Sequence, residues 1–224
     1  MALNLDDFPW TPKALTTYTC SKLEEAFRTQ GEEKTRRAID QLFQVVCQIT
    51  DLSPDTLLTQ LGFNPNNRDD DNVQSLFGVM RTVTTLRNLD FTEITPLPPN
   101  NTHKEADLVA RKNGTSYAVE VFRANERTWR YPGYKCEEYI AARYAKEKKA
   151  QLDATMARLK CTKAIVTVVF DSDSKALLDG SEIQCIVETV YYRTGTPDNT
   201  HFLLFTGMQT PPYGDDVAIW PPLT

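Results

Sequence analysis

Two acidic residues, Asp107 and Glu120, stand where a charge is hard to keep. Leu108 and Val109 follow the first, and Ala118, Val119 and Val121 surround the second. An acid in a strand that is apolar on both sides needs a reason to be there. Two carboxylates converging on one spot repel each other unless a cation or a shared proton compensates. Hard divalent cations with oxygen ligands are the usual compensation. The chemistry to look for is therefore metal-assisted, with Asp107 and Glu120 at its centre.

The elements that must bring these acids together are the strands of a β-hairpin. Residues 105–111 alternate apolar with polar positions, and residues 116–122 are rich in aromatic and β-branched side chains. Between them lies Lys112-Asn113-Gly114, and Asn-Gly is the strongest short-range hairpin signal because both residues tolerate positive φ. Strand side chains alternate faces, so Glu105, Asp107 and Val109 share one face, as do Ala118, Glu120 and Phe122 on the second strand.

An Asp on one strand, a short hairpin, then a Glu two places before a Lys on the next strand resembles the PD-(D/E)XK nuclease superfamily. Phe122 stands where that motif has its lysine, and Ala106 where it has a proline. The resemblance covers roughly residues 70–170. It implies a restriction-endonuclease-like αβββαβ core and hydrolysis of phosphodiester bonds in DNA or RNA with Mg²⁺ or Mn²⁺. Asp107, Glu120 and the Val121 carbonyl would hold the metal, with Glu105 a further ligand. A helix following the hairpin carries the substitutes for the missing lysine. Tyr144, Lys148, Gln151 and Thr155 fall on one helical face, and the resemblance, in which this helix often points a lysine or glutamine at the metal, implies Lys148 and Gln151 as candidate catalytic groups. The competing class is an inactive nuclease-like module that binds nucleic acid or protein, and Phe122 is the feature that favours it.

The net charge of −5 argues against a general nucleic-acid coat protein, but its distribution is uneven. Residues 101–163 carry +6, flanked by −5 in residues 1–100 and −6 in residues 164–224. Positive charge thus concentrates around the candidate site, as phosphate binding requires. Arg123, Arg127, Arg130, Tyr131 and Lys149 are the candidate nucleic-acid contacts, since interleaved cations and aromatics can track phosphates and stack on bases. A solvated basic helix face and aromatics that pin a loop are the alternatives.

The remaining chain reads as α/β, a mixed central sheet flanked by helices, with an N-terminal helical region over residues 1–68 packed on a core over 69–224. Helices are expected at 20–29, 32–50, 71–88, 137–160 and 181–193. A short one opens at Ser53-Pro54, serine capping and proline at the first helical position. Asp69, Asp70 and Asp71 fit the start of the helix at 71–88 better than a metal site. Further strands are expected at 91–97, 162–170 and 202–205, before a proline-rich tail. The five scattered cysteines show no paired metal spacing and read as buried thiols. Without a membrane span or leader pattern, the expected compartment is the cytoplasm. A homodimer or a protein partner stays open.

Overall fold

The computed structural model describes residues 7–99, 104–124, 136–170, 180–205 and 217–223. Its organising element is a six-stranded mixed sheet whose strands lie side by side in chain order. They are β1 Thr92–Pro96, β2 Leu108–Lys112, β3 Thr115–Ala124, β4 Lys163–Phe170, β5 Thr200–Phe205 and β6 Val217–Trp220. β1, β2 and β3 pair antiparallel, β3, β4 and β5 pair parallel, and β6 returns antiparallel on β5. β4 is buried over nearly its whole length, as a central parallel strand must be.

The helices are α1 Lys13–Thr16, α2 Ser21–Gln30, α3 Glu32–Thr50, α4 Pro54–Gln60, α5 Asp70–Asn88, α6 Cys136–Arg143, α7 Lys149–Leu159 and α8 Gly180–Thr194. Alternation along each strand divides the core in two. Leu108, Ala110, Val119, Ile165 and Leu203 face the N-terminal helices, where Phe43, Val46, Leu76, Met80 and Val83 fill one cluster. Ala118, Phe122, Val166, Val168, Phe202 and Leu204 face Ile140, Leu152, Ile183 and Val187 of α6, α7 and α8. The result is three layers, helix–sheet–helix, and the N-terminal helices share the hydrophobic cluster of the sheet.

The sequence accounts for the local geometry. Asn113 and Gly114 take φ of 50° and 77° in the two-residue turn between Lys112 and Thr115, the left-handed pair that a tight hairpin needs. Ser53 accepts the Thr56 N–H with Pro54 at the first helical position. Asp70 and Asp71 lie in the first turn of α5, whose positive end favours acids. Four of the five cysteines, Cys20, Cys47, Cys136 and Cys161, are buried as expected, while Cys185 is exposed. Among the described residues no helix is long and apolar enough to cross a membrane.

Three expectations are corrected. The first hairpin strand begins at Leu108, not at Glu105, so Asp107 precedes it. The helix expected over 137–160 is α6 and α7 joined by a π-helical turn, Tyr144–Lys148. β6 falls in the stretch read as a proline-rich tail; its short run of Val217, Ala218 and Ile219 has a partner in β5 that local sequence does not reveal.

Candidate metal centre

Asp107 is fixed by backbone on both sides. β2 pairs Leu108 with Val119 and stops there, and the Asp107 carboxylate takes the next N–H of β3: Val121 donates to Asp107 Oδ2 at 2.7 Å. The Asp107 carbonyl accepts from the Leu97 N–H at 2.9 Å. One residue earlier, the Ala106 N–H donates to the hydroxyl of Thr155, a fully buried side chain on α7, at 2.8 Å. Thr155 thus anchors the strand entry that aims Asp107. Thr155→Val keeps the shape and removes the acceptor, so it should destabilise the protein by about 1–3 kcal/mol, the cost of an unsatisfied buried N–H. Urea unfolding measures this. An unchanged midpoint would show that Ala106 does not depend on Thr155.

Glu120 lies in the middle of β3 on the face toward α7 and is 1% exposed. Its Oε1 accepts a hydrogen bond from Lys148 Nζ. Its Oε2 is buried with no hydrogen-bond partner among the described residues. Burial, reinforced by the negative charge of Asp107, pushes the Glu120 carboxyl up to about 8, against the pull of Lys148 and Arg143. Burial likewise raises Asp107, to about 6, opposed by the Val121 N–H and by Lys148. The two acids therefore act on each other, with one ammonium shared between them.

Lys148 ends the π-helical turn, and its side chain is only 15% exposed. Single π turns inside helices recur at functional sites because they shift the phase of the side chains beyond them. Here the turn separates the buried ring of Tyr144 from Lys148, which reaches Glu120.

Two depressions meet at Asp107 and Lys148. One, of about 290 Å³, is lined by Asp71, Ser75, Phe122, Arg123 and Arg143 together with Val121. The other, of about 260 Å³, is lined by Lys104, Glu105, Glu147 and Gln151 with the Pro98-Pro99 pair. Gln151 is thus at the site's rim. Glu105 is held by Arg158 at 2.6 Å, and no cluster of three metal-ligating side chains occurs among the described residues. Val121 contacts Asp107 through its N–H. Arg123 lines the first depression and is bonded to Asp71 at 2.6 Å. Lys149 is exposed and paired with Asp153. Arg127, Arg130 and Tyr131 lie outside the described residues.

The donor set fits a hard divalent cation. Two carboxylates, one with an unpartnered buried oxygen, match Mg²⁺, which is bound through one or two carboxylates and keeps its other positions for water and phosphate. Sequence reasoning missed Arg143. Its guanidinium lies 5.1 Å from the centroid of the Phe122 ring and donates to the Arg123 carbonyl and the Tyr139 hydroxyl. Its position one turn before Lys148 on a basic helix was the only signal available. Comparison with protein-family models, with curated proteins and with solved structures found no match to this chain.

Proposed function

We propose that this protein is a divalent-cation-dependent phosphodiesterase acting on nucleic acid. The observation that carries this reading is the buried Asp107–Glu120 pair, with Glu120 Oε2 unpartnered among the described residues, beside two clefts that Asp107 and Lys148 both line. A buried carboxylate oxygen without a donor is destabilising, and a cation bound by both acids relieves that cost. Mg²⁺ or Mn²⁺ held there supplies Lewis acidity toward a phosphoryl oxygen and an acidified water.

The chain's own groups do the rest. The Val121 N–H fixes the Asp107 carboxylate in one orientation. Lys148 donates a hydrogen bond to Glu120, and its ammonium would be available to the phosphate if Glu120 held a cation instead. Gln151 stands one helical turn further along, at the edge of the second depression, where it can orient a water or a sugar oxygen. Phe122 keeps bulk water from the face it shares with Glu120, which strengthens electrostatic interactions there. The local charge of +6 in residues 101–163 supports a polyanionic substrate.

One observation favours a second reading, binding without cleavage: position 122 holds a buried phenylalanine that can neither donate a hydrogen bond nor carry charge. Incubation with labelled single- and double-stranded DNA and RNA separates the two. Cleavage that requires Mg²⁺ or Mn²⁺ and stops with a chelator is expected. Retained binding with no cleavage under any metal would favour the binding module.

A further inference from the structure

The cations around the acid pair are not equivalent. Lys148 is bonded to Glu120, Arg123 to Asp71, Lys149 to Asp153 and Arg158 to Glu105. Each of these charges is met by a hydrogen-bonded carboxylate. Arg143 differs. Its Nη1 donates to two neutral oxygens, the Arg123 carbonyl at 3.2 Å and the Tyr139 hydroxyl at 2.8 Å. Among the described residues its ion-pair partner is exposed Glu147, whose carboxylate lies 3.8 Å from Nε, beyond hydrogen-bond range.

Its placement is as specific as its pairing. The guanidinium stacks over Phe122, whose ring occupies the strand position two residues after Glu120 and is itself buried. A flat guanidinium lies over an aromatic face in a way an ammonium does not, and with both Nη1 hydrogens engaged its Nη2 and Nε hydrogens remain for an oxyanion contact. Arg143 and Phe122 both line the depression that contains Asp107 and Lys148.

We infer that Arg143 is the substrate-phosphate ligand of this site, holding a phosphate oxygen beside the acid pair, with Phe122 as the platform that orients it. This rests on the phosphodiesterase reading and deepens it. The positive charge absent from position 122 is supplied from α6, across the ring that replaced it. A structural strut between α6 and β3 is the rival role for the same contacts, and salt dependence separates the two.

The experiment is fluorescence anisotropy with a labelled single-stranded oligonucleotide in chelator, where no cleavage competes, between 50 and 200 mM salt. Arg143→Met should weaken binding about tenfold at the lowest salt and lower the salt slope by roughly 0.7, the contribution of one phosphate on a single strand. Arg143→Lys keeps the charge and loses the stack and fork, so it should keep the slope and lose part of the affinity. A strut alone predicts wild-type slope and affinity in Arg143→Met once folding is confirmed by its melting curve, and that result overturns the inference. If Arg143→Met does not fold, Arg143→Lys decides: affinity equal to wild type overturns the inference, and a loss at constant slope supports it. Calorimetry with Mn²⁺ keeps the two levels apart. Wild type that binds Mn²⁺ and oligonucleotide while Arg143→Met binds oligonucleotide equally well defeats only the role of Arg143. Wild type that binds neither defeats the phosphodiesterase reading itself.

Discussion

Lys148→Met will bind Mn²⁺ about tenfold more tightly than the wild type and cleave nucleic acid at least 100-fold more slowly. The two effects have one origin. In the metal-free protein the Lys148 ammonium is bonded to Glu120, at the acid that a divalent cation must also use. A cation entering the site has to displace that bond and accept a positive neighbour. Removing the ammonium removes both obstacles, and tenfold corresponds to about 1.4 kcal/mol, a modest charge–charge term for a partly buried site. In the proposed function the same ammonium would be the group available to the phosphate if Glu120 held the metal. Its loss should then reduce the rate by the 10²–10³ typical of removing one preorganised electrostatic contact. Calorimetric titration and a cleavage assay on the same preparation check both halves. Weaker Mn²⁺ binding in Lys148→Met would mean that the lysine supports the cation site, and the displacement account would fail.

Glu120→Gln will lose divalent-cation binding, and its stability will respond to pH unlike that of the wild type. Burial and Asp107 raise the Glu120 carboxyl from 4.5 to about 8. The folded protein therefore holds this proton more tightly than the unfolded chain does. Stability from that proton is fully present below about pH 4.5 and is lost as the pH rises through about 8. The metal-free wild type should thus lose on the order of 2–4 kcal/mol relative to Glu120→Gln between pH 5 and pH 8. Saturating Mn²⁺ should flatten the wild-type curve and leave the variant unmoved. Urea unfolding at several pH values, with and without Mn²⁺, measures this. Parallel curves for the two proteins would show that Glu120 is not held under strain by its burial.

The parts of this site that follow local rules were legible in the sequence. Asn113-Gly114 dictates a tight turn, which fixes the register, and the register sets Asp107 at the strand entry opposite Glu120. Helical phase pointed to Lys148, and the structure bonds it to Glu120. The unread parts depend on the third dimension. A π turn leaves no mark in an apolar period, so 137–160 read as one helix. Asp71 serves as a helix-start acid and also holds Arg123; sequence gives the first role and only the tertiary fold the second. Thr155 reads as one more helix residue, yet its hydroxyl satisfies the Ala106 N–H. Arg143 reaches from the end of α6 to the Phe122 ring of β3, a contact no local pattern announces. β6 went unseen because four residues among prolines carry no periodic signal, and β5 supplies its partner.

The proposed function stands on Asp107 and Glu120 together holding a divalent cation. Crystals soaked in Mn²⁺ and measured at its absorption edge test this most directly. The account predicts one anomalous peak between the two carboxylates, about 2.0–2.3 Å from an oxygen of each, with Lys148 Nζ moved away from Glu120. Diffraction from Mn²⁺-saturated crystals showing no peak there, with the Lys148–Glu120 bond intact, would contradict it.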